Sequence, residues 1–139
     1  MLRMTPRQFA RVTGRKHVPD PVRSAKLKAG HVKARADGDT FCRYCQLRGM
    51  AMPCREFKFE PTSRCRLDFA WPNRKLAVER DGGNWINGGH NRGSGRKRDN
   101  DKANAAAVLG WRVMHYFPQQ LLRAETLAQV KAAYDLEMQ

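Results

Sequence analysis

The stretch REFKFEPTSRCRLDFAWPNRKLAVERDGG, residues 55–83, holds three short apolar runs separated by turn formers. Glu56 to Glu60 alternates around Phe57 and Phe59. Cys65 to Trp71 alternates around Leu67 and Phe69 until Pro72 stops it. Leu76 to Arg80 follows the Pro72-Asn73 turn and ends at Gly82-Gly83. A period of two, bounded by Gly, Pro and Asn, is the mark of strands with one buried face, so this stretch reads as an antiparallel meander.

Downstream, a Gly- and Asn-rich loop runs from Gly82 to Gly95 and is too polar to be core. A loop of that length in a compact domain is usually functional or disordered. Lys97 to Leu109 is rich in Ala (Ala103, Ala105, Ala106, Ala107) and stops at Gly110, the pattern of a helix that packs closely on a sheet. Trp111 to Phe117 reads as a fourth strand, packed through Val113 and Tyr116, with Trp71 and Trp111 in the core. Pro118 opens a last helix to about Met138, with Leu127, Val130, Tyr134 and Met138 at helical spacing. Upstream, Asp39 or Thr40 could cap a short helix, Phe41 to Arg48, ended by Gly49. The order helix, three strands, helix, strand, helix is that of an α/β domain with a mixed sheet, the fourth strand joining through a right-handed crossover.

The chain's 139 residues are one domain's worth plus an arm, and its 27 Lys and Arg against 13 acids leave a net charge of +14. Such a balance points to a polyanion, nucleic acid first, and the competing reading is an inert basic surface. Residues 1–36 hold ten basic residues, Arg15 and Lys16 among them, and only Asp20 as an acid, which makes +9 of the total. With Pro19 and Pro21 breaking it, this segment reads as an extended basic arm that contacts phosphates, with one short helix near Pro6 to Val12; a solubilising tail is the alternative. The division expected is an arm over 1–36 and a domain over 37–139. No run of about 18 apolar residues occurs, so no membrane span is expected, and Met1 to Arg35 lacks the apolar core of a secretory leader. An intracellular, cytoplasmic and reducing location is therefore expected, and structural disulfides are not.

In so basic a chain the acids are informative. Asp68, Glu79 and Asp81 follow a D-x10-E-x-D spacing, with Asp68 inside the second strand and Glu79 inside the third. Carboxylates are depleted in strands and costly to bury unpaired, and two on adjacent strands invite a divalent cation. Mg²⁺ favours carboxylate oxygens, keeps several waters and suits phosphate chemistry. The competing reading pairs Asp68 or Glu79 with Arg64, Arg66 or Arg80 on a solvated face.

The same residues carry a resemblance. Residues 55–83, with GGHNRGSG (88–95) and DNDKANAAAVLGWRVMHYFP (99–118), resemble the core of the PD-(D/E)XK nuclease superfamily, the restriction-endonuclease-like fold, and within it small phage and bacterial endonuclease domains of the very-short-patch-repair-like branch. The likeness covers about residues 41–130 and is most specific in LDFAWP, KLAVE and the Gly pair. It implies an αβββαβ core with a four-stranded mixed sheet, a site where the second and third strands diverge, and a Mg²⁺- or Mn²⁺-dependent endonuclease, a hydrolase acting on DNA in a bacterial or phage-infected cell. Asp68 matches the metal-binding Asp and Glu79 the (D/E), with the backbone carbonyl of Arg80 as a further ligand. Asp81 stands where the motif usually has Lys, and can hold a second metal or orient the attacking water. Lys102 is the candidate to replace that Lys, an exposed helix Lys being the alternative. His90 is a candidate general base or phosphate contact; Arg92, Arg96, Lys97 and Arg98 fit phosphate binding on the rim. Glu56 can reach the site from the first strand, and Trp85 can stack on a base or anchor the loop. Cutting both strands of a duplex takes two active sites, which makes a homodimer compatible with this reading.

Cys42, Cys45, Cys54 and Cys65 are spaced C-x2-C-x8-C-x10-C. Without a second C-x2-C, buried thiols are favoured over structural Zn²⁺. Two rivals to the nuclease remain: a nuclease fold that binds nucleic acid without cutting it, and a zinc-stapled architectural DNA-binding protein.

Overall fold

A computed structural model of the protein describes residues 21–82 and 92–137. The expected short helix near Pro6 to Val12, Arg15 and Lys16, the loop residues Trp85 and His90, and Met138 lie outside the described residues. The chain falls into two compact units, 1–35 and 36–139.

Among the described residues eight elements follow in order: α1 (Pro21–Leu47), β1 (Cys54–Phe57), β2 (Leu67–Trp71), a short 3₁₀ turn (Pro72–Arg74), β3 (Leu76–Arg80), α2 (Arg92–Val108), β4 (Arg112–Tyr116) and α3 (Ala124–Asp135). The chain is thus mixed α/β, with a four-stranded sheet in the order β1-β2-β3-β4. The first two pairings are antiparallel and β3 pairs β4 in parallel, with Glu79 opposite His115.

Several elements begin where the sequence reading does not put them: α2 starts at Arg92, inside the loop expected from Gly82 to Gly95, and not at Lys97, and β1 starts at Cys54 and not at Glu56. The extended arm is helical from Pro21 on, because Pro is tolerated in a first helical turn and the Ala, Lys, Arg and Leu residues that follow are strong helix formers. Asp39 and Thr40 therefore lie inside α1 and cap nothing: Thr40 Oγ1 donates to the Ala36 carbonyl and Asp39 pairs with Arg55. The helix ends as expected at Gly49, whose φ of 77° few other residues adopt without strain. At the other end, Pro118 does not open α3. Residues 118–123 form turns in which the Gln120 side chain accepts from the Phe117 N–H and its carbonyl accepts from Thr126 Oγ1, so that Leu121 is fully buried before the helix starts at Ala124.

The sheet buries residues on both faces. On one face Phe41, Cys42 and Cys45 of α1 and Leu127 and Val130 of α3 enclose Phe69, Trp71, Leu76 and Val78, with the Phe41 and Phe69 rings 4.8 Å apart. Arg74 and Arg112 hold the last turn of α3, donating to the carbonyls of Tyr134 and Ala133 that the helix itself leaves unpaired. On the other face Ala70 and Ala77 cluster with Ala106 of α2, and Trp111 with Phe59 and Leu67, so Trp71 and Trp111 are both core residues. β1 is shorter than its apolar alternation suggests. Glu56 has a φ of 49°, which breaks the pleat, and Phe59 reaches the core from beyond the strand.

Candidate active site at the divergence of β2 and β3

The β2–β3 ladder pairs Trp71 with Leu76, Ala70 with Ala77 and Phe69 with Val78, and stops there. The next two positions in register are Asp68 and Glu79. Each carboxylate reaches the backbone of the opposite strand. Glu79 Oε1 accepts the Asp68 N–H at 3.0 Å, and Asp68 Oδ2 accepts the Arg80 N–H at 2.8 Å. The strands are thus held apart by two acidic side chains that cross-link them.

Helix α2 brings a cation to this pair. Lys102 Nζ donates to Glu79 Oε2 at 2.7 Å, with the two side chains only 22% and 12% exposed. Packing explains the placement. Ala106 clusters with Ala77, two residues before Glu79, and small side chains on both elements let the helix lie close. Lys102 is one helical turn ahead of Ala106 and so stands on the same face, over Glu79. Burial pushes the Glu79 carboxyl above the usual carboxylate range, the Lys102 hydrogen bond pulls it down, and the charge of Asp68 pushes it up again.

Asp81 lines the same cavity as Glu79 but makes no three-carboxylate group with it and Asp68. β3 ends at Arg80, the Asp81 N–H donates to the Tyr116 carbonyl, and its side chain turns to β4, where Oδ1 lies 3.0 Å from His115 Nδ1. Among the described residues no group of three or more His, Cys, Asp and Glu stands close enough to hold a metal. A carboxylate only accepts, so in this contact Nδ1 is the donor and Nε2 is left facing away from Asp81. The sequence reading missed His115. Its signal lies in the parallel β3–β4 register, which sets His115 beside Glu79.

Glu79, Asp81, Lys102 and His115 line one cavity of about 520 Å³, together with Asp99 and Asn100 of α2. Asp68 does not line it, and meets it through Glu79 and the Arg80 backbone. Glu56 is exposed and lines no part of it. Of the basic candidates, Arg92 is the first residue of α2, Lys97 pairs with Asp101 at 2.9 Å, and Arg96 and Arg98 are exposed on the helix.

Asp68 and Glu79 are the two carboxylates at the ladder's end, oxygen donors of the kind a hard cation takes, and Glu79 lies buried enough for its charge to be costly. The four cysteines are elsewhere: Cys42 and Cys45 buried in α1, Cys54 exposed at the start of β1, Cys65 half-buried before β2. Burial pushes the Cys45 thiol up to about 12, and the neighbouring Cys42 adds to the rise. Among the described residues no helix is long and apolar enough to cross a membrane. No family model, curated protein or solved structure matches this chain.

Proposed function

We propose that this protein is a metal-dependent endonuclease that hydrolyses phosphodiester bonds in DNA, built on a restriction-endonuclease-like core. The observation that carries the reading is the Asp68–Glu79 pair at the point where β2 and β3 part, with Lys102 on Glu79. The αβββαβ order and the +14 charge support it.

Asp68, Glu79 and the Arg80 carbonyl would hold Mg²⁺ or Mn²⁺, which when bound supplies a Lewis acid that lowers the pKa of water. Hydrolysis bonds a water oxygen to phosphorus and breaks a P–O ester bond. The water gives up a proton and the departing oxygen gains one. Lys102, paired with Glu79, would orient the attacking water and offset charge gathering on the phosphoryl oxygens, as the replacement for the motif Lys. His115, held through Nδ1 by Asp81, has Nε2 for proton exchange at the cavity wall. The basic surface holds the phosphate backbone.

A second reading, a nucleic-acid-binding protein that does not cut, draws on the Lys102–Glu79 ion pair, which gives Glu79 a counter-charge from the protein itself. One assay separates the two. Supercoiled plasmid, linear duplex, single strand, flap and four-way junction are incubated with Mg²⁺, Mn²⁺ or EDTA. The nuclease reading expects metal-dependent cutting by the parent, absent in Asp68→Asn at matched fold. Binding of every substrate without cutting would establish the second reading.

A further inference from the structure

Beside the cavity just described lies a second cleft, of about 640 Å³, lined by Ser63, Arg64, Arg66 and Arg98. Arg64 and Arg66 come from the loop between β1 and β2, and Arg98 from α2, so arginines of two separate segments line one recess. All three residues are exposed, and among the described residues none of them has a carboxylate partner. Three arginines against the single carboxylate of Asp99 leave the recess net positive, and the arrangement becomes more favourable when an anion enters. Arginine's planar fork suits phosphate oxygens in particular.

The two clefts share a wall. Lys102 and Asp99 line both, and Lys102 is the residue that touches Glu79. A strand whose reacting phosphate sits against Glu79 and Lys102 therefore meets the arginine recess on leaving the first cavity over that wall. We propose that the cleft of Arg64, Arg66 and Arg98 is a binding track for the backbone phosphates of a nucleic-acid strand, next to the one that is cut. The track rests on the nuclease reading for its place beside a cut, but its affinity for phosphodiesters does not need the cut to occur.

The test compares two charge-matched variants of the full chain. One is Arg64→Gln, Arg66→Gln, Arg98→Gln. The other is Arg43→Gln, Arg48→Gln, Arg123→Gln, three exposed arginines that line neither cleft. Binding of a labelled single-stranded oligodeoxynucleotide is followed against NaCl in EDTA. Each lost phosphate contact lowers the slope of log K on log salt by about 0.7, so the cleft variant is expected to lose about 2 and the other variant far less. Arg64→Lys, Arg66→Lys, Arg98→Lys keeps the charge and is expected to keep most of the slope, which guards against a fold defect. Equal slopes in the two Gln variants, the parent slope in the cleft variant, or no binding by the parent would overturn the proposal. Cutting with Mn²⁺ is read on the same samples. A parent that shows the cleft effect but never cuts sinks the nuclease reading and leaves the track standing. A parent that cuts, with both Gln variants alike in slope, sinks the track alone.

Discussion

The face of the sheet that carries Phe69, Trp71, Leu76 and Val78 is closed along its length by α1 and α3. The opposite face is closed where Ala70 and Ala77 meet Ala106 and where Trp111 packs with Phe59 and Leu67, and beyond Ala77 it turns to Glu79, Lys102 and His115 around an open cavity. The strands are the same, and the difference lies in side-chain size and charge. Large apolar groups fill the first face and can do nothing else there. Small alanines on the second let a helix come near enough to set an ammonium on a half-hidden carboxylate. Stability and chemistry are thus carried on opposite sides of one sheet, and substitutions on the two sides should separate them.

The largest effect expected on the closed face is that of Phe41→Ala, which empties a fully buried site and costs about 3–5 kcal/mol of stability by denaturant unfolding. Its cleavage rate, measured well below the melting temperature, should match the parent. A rate loss there would show that the two faces are coupled. On the open face, Lys102→Met should slow single-turnover cleavage by about 10²-fold, the effect of losing one charged stabiliser of the transition state. Parental rates in this variant would remove Lys102 from the chemistry.

Ala106→Leu joins the two effects. Ala106 is buried where α2 meets the sheet, and the added volume costs about 1–3 kcal/mol as the helix shifts outward. Because that shift carries Lys102 away from Glu79, cleavage should fall as well, as it does not for Phe41→Ala. An Ala106→Leu protein that is destabilised yet cuts normally would mean that close helix packing does not position Lys102.

The smallest effect is a pH dependence. The Glu79 carboxyl is raised in the folded state, chiefly by burial, so the folded protein binds its proton more tightly than the unfolded chain does. The contribution of Glu79 to stability is then most favourable below the ordinary carboxylate range. It declines as pH rises through that range to the raised value and stays unfavourable above it. Glu79→Gln removes this dependence, so its melting temperature should gain on the parent as pH rises from acid to neutral. A gap that moves the other way would mean that Lys102 outweighs burial.

Much of this was legible in the sequence, for reasons particular to each element. β3 stands out as Leu76 to Arg80 because Pro72-Asn73 and the Gly pair bound it, and Asp68 and Glu79 stand out because carboxylates inside strands are rare. The length of α1 was hidden because residues 21–36 show helix-forming composition without an apolar stripe. The start of α3 was hidden because it depends on the burial of Leu121 and on bonds to Gln120, which are tertiary facts. Asp81 stands two residues from Glu79 in the sequence and in the same cavity, but the strand ends between them and its side chain lies beside His115, which sequence spacing does not reveal. His115 itself needs the β3–β4 pairing to be recognised, and no local pattern supplies that.

The central claim is that Asp68 and Glu79, where the strands part, form a metal-dependent cutting centre. It is tested most directly by the single-turnover cleavage rate as a function of Mn²⁺ concentration, for the parent and for Glu79→Gln shown to be folded by circular dichroism. The account predicts a parent rate that rises with Mn²⁺ to a plateau, and a variant at least about 10³-fold slower at every concentration, equivalent to about 4 kcal/mol of transition-state stabilisation. A Glu79→Gln protein that follows the parent curve would contradict it.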